Sequence, residues 1–162
     1  MTDTPNPTGA TGGEVTITRV FDAPREFVWK AWTEPEHFAH WFGTPPYTTP
    51  LSTISMDVRP GGRWRATMVS EVDGTELPFL GVYREVVAPE RLVLVFEDPN
   101  DPSNPNVEVL TVTFTDLGDK TEVVCHQAGY LPEEEYANLE EGYSGFFDRL
   151  AEHLEQVLST GS

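Results

Sequence analysis

The sequence predicts an α+β domain: a curved antiparallel sheet wrapped against one long C-terminal helix, with two short helices after the first strand. Three observations carry this expectation. From Leu51 to Gln127 apolar residues alternate with period two, and short reversals containing Gly, Pro or Asp separate the runs. From Tyr136 onward, Tyr136, Leu139, Tyr143, Phe146, Phe147, Leu150, Leu154 and Val157 recur at three- and four-residue spacing, which makes one broad apolar stripe on a helix. That stripe must be covered, and the only large apolar partner is the preceding sheet. At 162 residues and 38% hydrophobic, the chain fits a single domain with a sizeable core.

Residues 1–13, rich in Thr, Pro and Gly, are expected to form a disordered tail ahead of a single domain over residues 14–158. Glu14 to Phe21 sets Val15 and Ile17 against Thr16 and Thr18, the alternation of a strand. Asp22-Ala-Pro-Arg opens a helix: Asp22 is a capping residue, and Pro24 suits an early position whose N–H would be unpaired anyway. Phe27, Val28, Ala31 and Trp32 supply its buried side. Thr33-Glu-Pro-Glu restarts a second short helix, which carries Phe38, Trp41 and Phe42. Strands follow at Leu51–Val58, Arg63–Val72, Glu76–Val87, Arg91–Glu97, Val107–Thr115 and Lys120–Gln127. Arg59-Pro-Gly-Gly and Asp73-Gly74 read as reversals, because glycine accepts positive φ. Pro78 and Gly81 mark an edge, a bulge or a close approach in the longest strand. The last helix spans Pro132 to Leu158, with Glu133, Glu134 and Glu135 at its positive end, and residues 159–162 form a short tail.

The formal charge of −17 argues against a nucleic-acid partner, whose phosphates require a positive surface, and equally against an anionic membrane. No stretch reaches a transmembrane length, and Met1 to Gly13 lacks the basic start and apolar core of a signal peptide. The single cysteine, Cys125, rules out an internal disulfide, and cytoplasmic residence is the economical expectation.

Successive blocks of the chain resemble a known family. They are Phe21-Asp-Ala-Pro-Arg-Glu-Phe-Val-Trp-Lys-Ala-Trp-Thr-Glu-Pro-Glu-His-Phe-Ala-His-Trp-Phe-Gly, Met56-Asp-Val-Arg-Pro-Gly-Gly-Arg-Trp, Gly81-Val-Tyr-Arg-Glu-Val, Pro89-Glu-Arg-Leu and Gly142-Tyr-Ser-Gly-Phe-Phe-Asp-Arg-Leu. As a set, covering Val15 to Leu158, they are similar to the Hsp90-ATPase-activator-homologue-like proteins. Tyr143 stands where Trp is usual in that family. The family belongs to the START-like, polyketide cyclase and Bet v 1-like (SRPBCC) superfamily. The resemblance implies a helix-grip fold, in agreement with the map above. It also implies a choice among small-molecule binding, cyclase-type chemistry and a chaperone-related role.

A pocket is expected between sheet and last helix. Trp64, Ala66 and Met68 share one face of their strand; Leu77, Phe79, Gly81 and Tyr83 share one of the next; Leu92, Leu94 and Phe96, then Leu110, Val112 and Phe114, follow. On the final strand two parities are open. Val123, Cys125 and Gln127 are favoured inward, because His126 and Glu122 then share the wet face. The walls are therefore expected to be Trp64, Met68, Phe79, Tyr83, Phe96, Tyr143 and Phe147, with Trp41 and Phe42 as the rim and Gln127 as a polar contact. Small residues at Ala66, Gly81, Gly142 and Gly145 leave room, and close packing with no cavity is the competing expectation.

Other chemistries lack convergent residues. His37 and His40 are three apart beside Glu34 and Glu36, but a metal needs a further ligand and none can be named; a surface or capping role is preferred. His153 sits near the end of the last helix, where a cation suits the dipole. Cys125 and His126 are adjacent on a strand and so face opposite ways, which does not suit a nucleophile and base. Arg65, Arg84 and Glu85 are expected in salt bridges on the outer face. No catalytic residue, cofactor or metal is nominated. The expected function is non-enzymatic binding of a small apolar or aromatic molecule in the cavity. The alternatives are a protein-interaction module of the Hsp90-activator type and a cyclase or hydrolase using the same cavity. Pairing of two copies through a strand edge or helix face is compatible with the pattern.

Overall fold

A computed structural model describes residues 9–11, 13–43, 46–98, 100–101, 103–104 and 107–159. The first strands are β1 (Gly9–Thr11) and β2 (Glu14–Phe21), followed by helices α1 (Arg25–Thr33) and α2 (Pro35–Phe38). Two short strands, β3 (Tyr47–Thr48) and β4 (Ser55–Met56), flank a 3-10 turn at Leu51–Thr53. The long strands are β5 (Arg63–Ser70), β6 (Glu76–Val87), β7 (Arg91–Glu97), β8 (Glu108–Asp116) and β9 (Thr121–Ala128), and α3 (Glu133–Ser159) closes the chain. The α+β helix-grip expectation holds.

All pairings are antiparallel, in the order β1-β2-β9-β8-β7-β6-β5-β3, with β4 beside β5. First and last long strands are therefore neighbours, and α1 and α2 carry the chain from β2 to the opposite edge of the sheet. Alternation decides which side chains face α3. Val123, Cys125 and Gln127 are buried, which settles the open parity of β9, while His126 on the other face meets Glu14 at 2.6 Å. A register shift between Tyr83 and Glu85 bends β6. Gly81 is required by close approach: a Cβ there would run into the Val95 carbonyl. Without one, the Trp64 ring meets Phe96 edge-on at 5.0 Å.

The core sits under the second half of α3. Phe147, Leu150 and Leu154 are buried there with Phe21, Val28, Trp32 and Phe114. Phe147 stands edge-on to Phe21 at 5.6 Å, and Trp32 meets Phe114 at 6.1 Å. The buried Thr121 hydroxyl donates to the Ala23 carbonyl at 2.7 Å, which ties β9 to the entrance of α1.

Several local expectations change. Gly9–Thr11, placed in the tail, pairs with β2, while residues 1–8, 12 and 160–162 of the expected tails lie outside the described residues. Leu51–Val58 is not one strand: Thr53 accepts from Thr67 N–H at 3.2 Å and donates to Pro50 O at 2.8 Å, so a side chain takes the place of a ladder. Asp22 does not cap α1, whose N-cap is Pro24 with no side-chain bond. Of the outer-face trio, among the described residues only Glu85 is paired, with Arg91; Arg65 and Arg84 are exposed.

Candidate functional site

A cavity of about 450 Å³ lies between the concave face of the sheet and the first half of α3. Trp64 and Met68 on β5, Phe79 and Tyr83 on β6 and Phe96 on β7 line its sheet side. Leu139, Gly142, Tyr143 and Phe146 line its helix side at positions i, i+3, i+4 and i+7, as a single helix face requires. Phe38, Trp41 and Phe42 close the flank. Phe42 stacks on Phe38 at 4.5 Å and meets Phe79 and Phe146 at 5.5 and 5.3 Å, so an aromatic rim joins α2, β6 and α3. At one margin Arg149 donates to the Gly43 carbonyl and holds α3 to the turn beyond α2.

Nine of the ten residues nominated from sequence border this space: Trp41, Phe42, Trp64, Met68, Phe79, Tyr83, Phe96, Gln127 and Tyr143. Phe147 does not. One helical step past Phe146 rotates its side chain by about 100°, and it is fully buried in the core against Phe21. Trp41 is wall rather than rim: it is buried and its indole N–H donates to Ala31 O at 2.9 Å. Gly142, not Gly145, faces the cavity, and a Cβ built on Gly142 would meet no heavy atom within 4 Å.

The most consequential residue that sequence reading missed is Glu108. It continues the inward parity of Leu110, Val112 and Phe114, which is the signal that could have found it. Only 5% exposed, it reaches the cavity at one end. Its carboxyl accepts from Gln127 Nε2 at 3.0 Å, the Tyr136 hydroxyl at 3.0 Å, and the backbone N–H groups of Tyr130 and Leu131 at 2.8 and 3.3 Å. A Cβ at Gly129 would overlap this carboxyl, so glycine is what lets the chain turn over it into α3. The Tyr143 hydroxyl donates to Gln127 Oε1 at 2.6 Å, which orients the amide so that its nitrogen faces Glu108. Burial, reinforced by Cys125 and Glu108, holds the Tyr143 phenol well above its ordinary value, so it remains a donor. Burial pushes the Tyr83 phenol and the Cys125 thiol up as well. The resulting chemistry is an apolar chamber with one polar end, suited to holding and orienting a guest.

Outside the cavity, α2 and the end of α3 meet through histidines. His37 Nδ1 lies 2.9 Å from His153 Nε2, and His40 stacks on His153 at 4.7 Å and 11°. His153 was expected as a cation at a helix end. Desolvation, followed by the positive charges of His40 and His37, instead lowers it to about 4, so it is neutral at pH 7. Among the described residues no group of three or more His, Cys, Asp or Glu is arranged to hold a metal ion.

Residues 22–155 match the family model described as activator of Hsp90 ATPase homolog 1-like protein. The chain belongs to this family. Solved structures share the fold. A protein of Chromobacterium violaceum is 24% identical with a TM-score of 0.76, covering 88% of this chain and 97% of its own. A protein of Staphylococcus epidermidis is 20% identical with a TM-score of 0.77, covering 92% and 93%. An activator of Hsp90 ATPase homolog 1-like protein of Aeromonas hydrophila is 23% identical with a TM-score of 0.70, covering 88% and 93%. At these identities the likeness is one of fold. No curated protein matches the chain. Family and fold together are those of a ligand-binding or activator-type module. No helix of the described residues is long and apolar enough to cross a membrane.

Proposed function

We propose that this family member binds a small, largely apolar or aromatic molecule between the sheet and the first half of α3, without transforming it. The observation that carries this reading is the space itself. Interiors normally close to crystal-like density, yet about 450 Å³ persists inside this one, within the range of roughly 300–1,000 Å³ typical of small-molecule sites. Its walls are mostly apolar and rich in aromatic rings, and Glu108, Gln127 and Tyr143 form a hydrogen-bonded polar group at one end. Apolar area supplies affinity there, and the polar end supplies orientation.

A hydrolase or cyclase reading is favoured only by that polar end. Against it, both Glu108 oxygens are occupied by structural donors from β9, the turn before α3, and α3 itself. A carboxylate so employed is a clamp rather than a free base. An activator-type contact with Hsp90 is a separate proposal from family membership, checked by pull-down with an ATPase assay. For the binding reading, small aromatic compounds are titrated by calorimetry into wild type and Gly142→Leu. A leucine at position 142 projects into the space that Gly142 leaves open, so a folded variant loses affinity by about tenfold or more, the equivalent of about 1.4 kcal/mol. Unchanged affinity in folded G142L would move binding away from the cavity.

A further inference from the structure

The charged groups of the cavity carry one sign. Glu97, Asp98 and Glu108 line it, while every Lys, Arg and His side chain of the sequence lies among the described residues and none lines it. Glu97 is answered by Arg63 at 2.6 Å. Glu108 meets no opposite charge: its oxygens are filled by Gln127, Tyr136 and two backbone N–H groups, all neutral. Several donors and no acceptor address it, which is the bonding pattern of an ionised carboxylate. A buried anion held only by dipoles retains a large part of its desolvation cost, which an opposite charge would relieve.

Aromatic faces stand beside that carboxylate. Phe96 is the cross-strand partner of Glu108, Trp64 meets Phe96, and Tyr143 reaches Glu108 through Gln127. Ring faces attract cations, most strongly when both are removed from water. Asp98 continues the inward parity of Leu94 and Phe96 and also borders the cavity, with one carboxyl oxygen accepting from Asn100 N–H at 2.9 Å. Tyr83, Trp64 and Trp32, which also line the cavity, keep a buried hydroxyl and two buried indole N–H groups with no partner among the described residues, so the polar wants of the chamber are mixed and its charged groups alone are of one sign. What the lining lacks is a positive charge to set against Glu108.

We propose that the cavity selects lipophilic cations: amines or ammonium compounds with an aromatic or alicyclic body. The charged nitrogen sits at the Glu108 end, near the carboxylate but without displacing its donors, and the body lies between Trp64 and the Gly142 face of α3. This rests on the cavity being a ligand site, and it replaces a neutral guest with a charged one. A net charge of −17 further concentrates cations around the molecule.

The test uses three probes of nearly one shape: 1-naphthylmethylamine, 1-naphthylmethanol and 1-naphthoate. Each is titrated by calorimetry at neutral pH, and again in ~1 M sodium chloride, where exposed charges more than about 3 Å apart are screened. The amine binds about tenfold more tightly than the alcohol, and the carboxylate is weakest, in keeping with a desolvated cation–π and ion-pair contribution of about 1.4 kcal/mol or more. The preference persists in high salt and is lost in Glu108→Gln. If E108Q does not fold, wild type decides alone: a naphthyl trimethylammonium compound must outbind its tert-butyl isostere. Equal affinities for amine and alcohol, or an amine advantage abolished by salt, overturn the inference and leave the cavity reading standing. If none of the probes binds, the cavity reading falls and takes the inference with it.

Discussion

His153→Gln isolates the cost of keeping one imidazole neutral between two others. In the folded protein His153 is lowered from 6.5 to about 4, first by desolvation and then by the charges of His40 and His37. The unfolded chain takes up a proton at this site below about pH 6.5, and the folded chain resists until about pH 4. The sign follows: the contribution to stability is complete above pH 6.5 and is lost progressively as pH falls toward 4. A shift of this size sets an upper bound of about 3 kcal/mol. The ring is only half-buried and Glu34 lies 3.7 Å from the far nitrogen of His37, so solvent and this carboxylate reduce the effect to about 1 kcal/mol. Urea unfolding at pH 7.5 and pH 5 measures it. Wild type should lose about 1 kcal/mol more than H153Q between the two conditions, a relative midpoint shift of about 0.5 M for a typical urea slope. The acidic residues titrate in both proteins and cancel. Parallel losses in wild type and H153Q would refute the assignment of His153 as a neutral ring locked by its neighbours.

Two further outcomes follow from single positions. Gly142→Ala should stabilise the protein by about 1 kcal/mol and raise Tm by about 2–4 °C in calorimetry, since a helical glycine costs that much and its Cβ meets nothing; a fall in Tm would mean the helix needs glycine there. Thr121→Val keeps the shape but leaves the Ala23 carbonyl unpaired, and should cost about 1–3 kcal/mol by urea denaturation; a neutral result would mean that carbonyl finds another donor.

How much of this was legible beforehand depends on the range of the interaction. The apolar stripe from Tyr136 to Val157 is a local pattern and specified α3 almost to the residue. Period-two parity likewise placed Trp64, Met68, Tyr83 and Phe96 on one face, because the pleat leaves no other choice. Parity also points to Glu108, but residue type pulled the other way: a glutamate at the start of a strand reads as solvent-facing until its donors on β9 and α3 are seen. Phe146 and Phe147 are equally apolar, and only the rotation of α3 against β2 decides which one meets the cavity. His153 belongs with His37 and His40 through a contact across 116 positions, which no window on the sequence can contain. Leu51–Val58 failed for a local reason, since the Thr53 hydroxyl competes for backbone partners that a ladder would otherwise use.

The helix α3 rests on two different supports. Its second half is bedded on solid core through Phe147, Leu150 and Leu154, while Leu139, Gly142 and Phe146 of its first half overhang open space. Mechanically this is a beam, fixed at the far end and pinned at the near end where Tyr136 meets Glu108. The span between the two fixings has the fewest neighbours to resist bending, and its local opening free energy is accordingly lower than that of the bedded half. The guest proposed for the cavity would act as a prop beneath it. Occupancy would then be converted into stiffness of one helical segment.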